Sequence, residues 1–216
     1  MKSKVTTQPA IEPVSLQEVK DSLRITSSSE DSLITQYIVD ARVYAENYTG
    51  RKFITQTLVG YADGFRGYQD NWFNGYRVGS EIELFRNGDR RIDLDYTPAQ
   101  SITEINTIDI DNSETVYASS NYYLENFDDD LHPRVRINDS SSIINVNLRS
   151  NNAVKVEYVA GYGDNASDVP AAIRRGIIMI ASHLYTNRGD CDGNCVEKSG
   201  ANTYLDQYKL ERVGLS

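Results

Sequence analysis

The chain has 216 residues, 39% of them hydrophobic and 25% charged, a balance that supports a folded core and argues against a disordered chain. Its formal net charge of −9 repels phosphate, so broad, sequence-independent binding of DNA or RNA is not expected. The longest apolar stretch, around residues 177–180, is too short to cross a bilayer, and no apolar core follows Met1–Lys4 to make a signal peptide. We therefore expect a soluble globular protein.

The first predicted elements are two helices. Residues 1–12 are polar and are predicted to be a flexible N-terminal arm. Ser15 and Glu18 have the spacing of a capping box, so a short helix should begin there. A longer helix is predicted over residues 30–48, where apolar side chains recur every three or four positions, and Gly50 is its expected C-cap.

Residues 52–163 are predicted to form an antiparallel β subdomain, because alternating apolar and polar residues replace the helical period. One hairpin is predicted over residues 81–95, with an Asn-Gly pair at 87–88 supplying the positive φ angles of a tight turn. A second hairpin is predicted around residues 111–112. Shorter strands are expected at residues 122–124, 134–137, 143–148 and 154–158.

An aromatic segment, residues 61–79, interrupts the alternating pattern and contains several glycine breakers. Long loops of this kind are often functional, and tyrosine, of which the chain has 15, suits surfaces that are wet in one state and buried in another. The alternative is that these rings fold back over the β subdomain. The candidate contact residues are Tyr68, Trp72, Phe73 and Tyr76.

A third helix is predicted from Asp168, a good N-cap residue, with Pro170 in its first turn. Its apolar face includes Ile173, Ile177 and Ile180, which indicates a buried helix. The helix should end at residues 187–189.

The simplest arrangement of these elements is an α+β fold. Residues 13–51 and 168–189 would pack as a small helical bundle, and the β subdomain would be inserted between them. Residues 190–216 are predicted to be a polar loop, a short amphipathic helix and a tail, with Leu205 and Tyr208 on one face of that helix.

The sequence has no set of residues that points to catalysis. The two histidines, His132 and His183, lie in a loop and in an apolar helix, and there is no Gly-x-Ser-x-Gly motif. Cys191 and Cys195 share one short loop without a second pair, which supports neither a zinc site nor a disulfide framework. We therefore predict a protein that is not an enzyme, with no cofactor and no metal.

Two end blocks of the chain resemble the head–tail connector, or adaptor, proteins of tailed bacteriophages. The N-terminal block comprises residues 13–23, 30–34 and 41–51, and the C-terminal block comprises the Val-Lys-Val-Glu-Tyr-Val-Ala-Gly-Tyr-Gly segment at 154–163 with the helix that follows. The resemblance implies a ring, usually of twelve copies, in the virion neck, assembled in the host cytoplasm. Such a ring docks under the portal protein, extends the DNA channel without binding DNA specifically, and presents a platform for the next neck or tail protein.

The resemblance also implies candidate contact residues. In relatives the C-terminal segment reaches the portal, which here assigns portal contacts to Tyr204, Leu205, Tyr208, Leu210 and Val213. The aromatic segment at 61–79 departs from shorter relatives, and we interpret it as a contact with the tail side or with a neighbouring subunit. No catalytic residues are implied.

Two other functions remain open from the sequence. The first is a β-sandwich carbohydrate- or receptor-binding module of a phage tail, in which rings around Trp72 and Tyr76 stack on sugars. The second is a carboxylate-dependent hydrolase. Its acidic candidates are Asp109, Asp111, Asp128 and Asp130.

Overall fold

The computed structural model describes residues 1–64, 91–125, 133–138, 148–188 and 194–210. Helices and antiparallel strand pairs are both present, which confirms the α+β class. The described helices are α1 (Leu16–Leu23), α2 (Asp31–Thr49), α3 (Ala171–Thr186), α4 (Cys195–Lys198) and α5 (Asn202–Leu205). The described strands are β1 (Lys2–Thr7), β2 (Gln56–Ala62), β3 (Arg91–Asp93), β4 (Ala99–Ile108), β5 (Glu114–Val116), β6 (Tyr122–Glu125), β7 (Arg134–Ile137) and β8 (Val154–Ala160).

The chain divides into two compact units. The sheet unit comprises Met1–Gln8 and Thr57–Val159, and the helical unit comprises Pro9–Gln56 and Ala160–Ser216. Each unit is therefore assembled from two stretches that are distant in sequence.

The capping box predicted at Ser15 is confirmed at the start of α1. The Ser15 Oγ accepts a hydrogen bond from the Glu18 amide over 3.2 Å, and the Glu18 Oε2 accepts one from the Ser15 amide over 2.7 Å. Two amides that have no partner inside the helix are thus satisfied. The helix ends at Arg24, whose φ of 57° is in the left-handed region.

The core of the helical unit lies where α2 packs against α3. Gly50 ends α2 with a φ of 73° and donates its amide to the Glu46 carbonyl, as predicted for a C-cap. The apolar residues predicted for the α3 face are fully buried. The central core residues of the two helices are Ile34, Ile38, Ala41, Ala45, Ile173, Ile177 and Ile180.

The prediction that Asp168 caps α3 is wrong. The helix begins at Ala171 with Pro170 in the N-cap position. Val169 precedes a proline and is therefore held in extended backbone, with ψ of 129°, so the helix cannot start earlier. Asp168 instead closes the preceding 3₁₀ turn, where its Oδ2 accepts a hydrogen bond from the Asn165 amide over 2.9 Å.

The C-terminal region has more structure than the sequence indicated. The predicted loop already contains α4, and the predicted amphipathic helix consists of α5 followed by a 3₁₀ turn at Asp206–Tyr208. Four-residue helices carry too little periodicity to be visible in sequence and depend on tertiary burial. Cys195 and Val196 supply that burial for α4, and Cys195 is disulfide-bonded, which was not expected from the sequence.

The sheet unit contains a five-stranded sheet in the order β1-β2-β8-β4-β5 and a three-stranded sheet in the order β3-β7-β6. Its core includes Leu58, Ile105 and Tyr158, each 0% exposed. The N-terminal arm expected to be flexible is the antiparallel edge strand β1, paired with β2 from Lys2 opposite Tyr61 to Val5 opposite Leu58. Apolar and polar residues alternate too weakly in β1 for a strand to be predicted from its sequence. Pairing with β2, and not local propensity, orders this strand.

The hairpin predicted around residues 111–112 is confirmed. Strands β4 and β5 pair with Asn106 opposite Val116 and Ile108 opposite Glu114, and Asn112 has a φ of 62° in the turn. The predicted hairpin at 81–95 lies mostly outside the described residues, except for β3, which pairs with β7. The predicted strand at 143–148 is also outside them, apart from Leu148.

Candidate assembly surfaces

Two of the predicted portal contacts face the protein's own core. Leu205 is 0% exposed and Leu210 is 5% exposed, so neither side chain is available to a partner in this conformation. A Cβ added at Gly176 of α3 would lie 3.0 Å from Leu205 Cδ2, which shows how closely Leu205 packs on that helix. The sequence pattern identified apolar side chains here without indicating that α2 and α3 bury them.

Polar contacts hold the same segment to the C-terminal end of α2. The buried Arg51 donates from Nε to the Tyr208 carbonyl over 2.6 Å, and the Leu210 amide donates to the Thr49 carbonyl over 2.9 Å. The Tyr48 hydroxyl donates to Asp206 Oδ1 over 2.5 Å, and this hydrogen bond raises the pKa of Tyr48 to about 12. These contacts hold the chain in place up to Leu210, and so fix the position from which the last residues of the chain start.

Only part of the predicted contact set is exposed in the described residues. Tyr204 is 36% exposed, and Tyr208 is half-buried against the helical core. Val213 lies outside the described residues, as do the four aromatic candidates Tyr68, Trp72, Phe73 and Tyr76.

A buried cluster of charges, which the sequence analysis missed, lies beside this anchor. Glu46 is 1% exposed, and its Oε2 accepts from Lys52 Nζ over 2.7 Å and from Arg42 Nη1 over 3.4 Å. Its Oε1 accepts from the side chain of Gln56 over 2.7 Å. Arg42 also donates to Glu12 over 2.8 Å, and burial raises the pKa of the Glu12 carboxyl.

This cluster, Glu12, Arg42, Glu46, Lys52 and Gln56, ties together three parts of the helical unit: the segment before α1, the middle of α2 and the segment after α2. Two carboxylates offset two cations, so the buried charges are balanced. In the sequence this cluster shows only as four charged residues, at 42, 46, 51 and 52, near the C-cap of a helix. Charged residues at such a place are usually exposed to solvent, so their burial was not expected.

A second polar cluster joins the start of α2 to the end of α3. Glu30 accepts hydrogen bonds from the Tyr185 hydroxyl and, over 2.7 Å, from Arg188 Nη2. The hydrogen bond from Tyr185 and then that from Arg188 lower the pKa of Glu30. The side chains of Glu30 and Arg188 lie at the surface, so their ion pair orients the helix ends more than it stabilises the fold.

Large apolar side chains are exposed on both units. On the sheet unit Val116 is 63%, Ile110 60% and Tyr123 50% exposed. On the helical unit Ile11 and Val43 are the corresponding residues, together with Tyr204. The β4–β5 hairpin thus carries the two most exposed apolar side chains of this group, and the sequence analysis gave it no role.

The acidic hydrolase candidates do not form a site in the described residues. Asp109 Oδ1 accepts from the Ile110 amide over 2.5 Å, which makes it a turn-forming carboxylate, and Asp111 is exposed in the same turn. Asp128 and Asp130 lie outside the described residues. Among the residues that the structure covers, no three acidic, histidine or cysteine side chains come together as metal ligands, and no helix has the length and apolarity to span a membrane.

The two histidines, which the sequence did not assign to a site, have no part in these clusters among the described residues. His183 is a half-buried residue of α3 whose Nδ1 lies 3.1 Å from the Asn187 side-chain nitrogen, and His132 lies outside the described residues. The contacts described so far are those of anchored segments and exposed strand and helix faces, an arrangement suited to protein association.

Comparison with solved structures finds the same fold in gene transfer agent particles. The chain matches a protein in a structure described as the virion of a native gene transfer agent particle, with a TM-score of 0.73 and 18% identity over 100% of this chain and 99% of the other. It matches the neck of an empty gene transfer agent particle, computed with C6 symmetry, to the same extent. A match to the neck of the native particle, computed with C12 symmetry, has a TM-score of 0.69, again with 18% identity and coverage of 100% and 99%.

The sequence itself defines the family. Residues 13–122, about half of the chain, match the family model described as phage gp6-like head–tail connector protein. The chain belongs to this family of phage head–tail connectors, which confirms the resemblance; the matched residues include the N-terminal block. No curated protein matches the chain.

Proposed function

We propose that this protein is a head–tail adaptor that forms a ring of twelve copies beneath the portal of a tailed phage, extends the DNA channel and docks the next neck or tail protein. The observation that carries the proposal is the match of residues 13–122 to the head–tail connector family. A connector has a structural task, so the protein is proposed to act by association and without catalysis.

The ring and its copy number are supported by the similar folds. Two of the similar structures are particle necks, one computed with C12 symmetry and one with C6 symmetry. A ring of twelve copies is compatible with both, since twelvefold rotational symmetry contains sixfold symmetry. Cyclic rings require a surface that contacts a different surface of the next copy, so each subunit must carry two complementary faces.

Portal docking is assigned to the end of the chain, in a revised form. Leu205 and Leu210 are anchors that bury their side chains in the helical unit. The exposed part of Tyr204, the accessible edge of Tyr208 and the segment that contains Val213 are then the proposed portal contacts. Because the anchor fixes where this segment leaves the helical unit, little conformational entropy is lost before position 211 when it binds.

The remaining surfaces are assigned by elimination. Residues 13–51 and 168–189 are proposed to act as one bundle that carries the inserted β subdomain at 52–163. The aromatic residues Tyr68, Trp72, Phe73 and Tyr76 are proposed to contact the tail side or a neighbouring subunit. The net charge of −9 lets DNA pass through the ring without adhering to its wall. The connector family favours this function over a sugar-binding module or a hydrolase.

The experiment is capture by the portal protein of the same phage, followed by negative-stain imaging. The full chain should co-purify with portal as a ring on one face of it. A chain that ends at Leu210 keeps all the anchors and should unfold at an unchanged urea concentration while losing portal capture. Failure of the full chain to bind portal would overturn the function, whereas unchanged capture of the truncated chain would overturn only the assignment of the C-terminal segment.

The matched control is Tyr123→Glu, a substitution on the exposed edge of the three-stranded sheet. It adds a negative charge to an exposed tyrosine in the sheet unit, as Tyr204→Glu does in the helical unit. Tyr204→Glu should reduce portal capture, and Tyr123→Glu should leave it unchanged.

A further inference from the structure

The five-stranded sheet has two edges of different character in the part of the chain that the structure describes. Strand β1 forms one edge and β5 forms the other. An edge strand presents backbone N–H and C=O groups that can pair with a strand of another chain. A sheet that ends in these two strands among the described residues can therefore continue from one copy of the protein into the next.

The hydrogen bonds of the β4–β5 hairpin show which amides point outward. Tyr117 donates to the Ile105 carbonyl over 2.7 Å and Asp109 donates to the Ser113 carbonyl over 3.0 Å. In an antiparallel ladder these inward pairs alternate with pairs that turn their N–H and C=O away. The outward residues of β5 are thus Glu114 and Val116.

The neighbouring strand confirms this alternation. Ile108, which lies opposite Glu114, donates its amide to the Ala153 carbonyl over 2.7 Å and accepts at its carbonyl from the Arg149 amide over 3.1 Å, both on the side away from β5. Glu114 and Val116 have no strand on their outer side among the described residues. Together they offer two N–H and two C=O groups to a partner strand.

The two edges also differ in charge. Strand β1 carries Lys2 and Lys4, both exposed and without an ion pair in the described structure. The hairpin carries Asp109, Asp111 and Glu114, of which Asp111 is exposed and has no ion pair in the described part of the chain. The opposite edges of one sheet are therefore complementary in sign.

Two cations moderate the charge of the hairpin without cancelling it. Lys155 Nζ lies 3.3 Å from Glu114 Oε2, and Arg149 Nη1 donates to the Asn112 side chain over 3.1 Å. The Glu114 side chain is still 48% exposed. Three carboxylates against two neighbouring cations leave the hairpin net acidic.

We propose that neighbouring copies in the ring join edge to edge, with β1 of one copy against β5 of the next. The proposal rests on the ring of the proposed function and specifies its subunit interface. The exposed Val116 and Ile110 side chains would supply apolar area beside the strand pairing. Since β1 and β5 are different surfaces, the contact is head-to-tail, as a cyclic ring requires.

The test uses charge reversal of each edge. Lys2→Glu/Lys4→Glu makes both edges acidic, and Asp111→Lys/Glu114→Lys makes both edges basic. Each variant alone should form rings on portal only at a protein concentration about tenfold higher or more than the parent protein needs. Mixed in equal amounts, the two variants should recover rings in which they alternate, because every interface then joins an acidic edge to a basic one.

A second pair of variants tests the backbone contact. Val116→Pro removes an outward N–H while leaving the β4–β5 hydrogen bonds in place, so it should fold and assemble poorly. Val116→Thr keeps the amide and the branched side chain and should assemble nearly as the parent protein does. Circular dichroism of each variant before mixing reports whether its fold is retained.

The outcomes separate this interface from the function itself. Asp21→Lys/Asp164→Lys, at two exposed acids of the helical unit, raises the net charge as much as Asp111→Lys/Glu114→Lys does and should leave assembly unchanged. If the parent protein forms rings on portal but the edge variants do so equally well, or the mixture fails to recover, the edge-to-edge interface is wrong and the adaptor function stands. If the parent protein forms no ring on portal, the proposed function fails.

Discussion

Arg51 is 1% exposed, and its Nε donates to the backbone carbonyl of Tyr208 over 2.6 Å. A residue just past the end of α2 thereby fixes a turn near the end of the chain. This contact helps to set where the C-terminal segment leaves the helical unit.

Arg51→Met should release the C-terminal segment. The substitution keeps much of the buried side-chain volume but removes the donors that satisfy the Tyr208 carbonyl, so unfolding should become easier by about 2–4 kcal/mol. Urea unfolding measures the loss, and limited proteolysis should cut near residues 206–210 first. Arg175→Met, on the exposed face of α3, should change stability by less than about 0.5 kcal/mol. Equal effects of the two substitutions would refute the anchor.

Gly176→Val should disturb α5 from the opposite side. A Cβ at Gly176 would lie 3.0 Å from two atoms of Leu205, so valine overpacks the contact and should cost about 1–3 kcal/mol. Leu205→Ala alone should also destabilise, by leaving a cavity. The double variant should be more stable than the sum of the two losses predicts, since alanine makes room for valine. Strictly additive losses in a double-mutant cycle would mean that the two side chains do not meet.

Glu46→Gln should destabilise the helical unit strongly. The substitution removes the buried carboxylate charge that pairs with Lys52 and Arg42, which should cost about 3–5 kcal/mol. The same change at Glu114, which forms an exposed ion pair with Lys155, should cost less than about 1 kcal/mol. Thermal unfolding of both variants compares them directly, and a Glu46 variant as stable as the Glu114 variant would show that the buried cluster contributes little.

The capping box at α1 should give stability that depends on pH. The backbone hydrogen bond from Ser15 lowers the pKa of Glu18 below its usual 4.5, so the folded state favours the carboxylate. The stabilisation from Glu18 is therefore present above its unfolded pKa and is lost as pH falls through the lowered folded pKa. Glu18→Ala should cost about 0.5–1 kcal/mol at pH 7 and progressively less below pH 4.5.

Glu18→Gln is the control for this pH dependence. Glutamine can still accept from the Ser15 amide but does not titrate, so its stability relative to the alanine variant should stay constant with pH. A parent-minus-alanine difference that does not change between pH 7 and pH 3 would contradict the role given to the carboxylate.

Local signals made part of the fold predictable. The capping box at Ser15, the glycine after α2 and the bounds of β7 each depend on a few adjacent residues, and the structure has them as predicted. Strand β1 was not predictable, because a polar edge strand is ordered by its pairing with β2 and its own sequence resembles a flexible arm.

The candidate contact residues were likewise only partly predictable from the sequence. That Leu205 and Leu210 are apolar was visible in the sequence, but an apolar residue near a chain end can face a partner or its own core. Which of these occurs depends on Gly176 and Gly50, which leave room for the two side chains, and on hydrogen bonds to Arg51 and Thr49 across more than 150 positions. The position of β5 at the edge of the described sheet depends on strand order, which a periodic pattern does not encode.

Copies of this chain are proposed to form a ring on the portal, and imaging of the complex at high resolution shows whether they do. Rotational symmetry is measured on class averages of the chain bound to the portal of its own phage. We expect closed rings with twelvefold symmetry, coaxial with the portal and with the acidic chain around an open channel. Single copies bound without ring closure, or no binding at concentrations well above those of assembly, would contradict it.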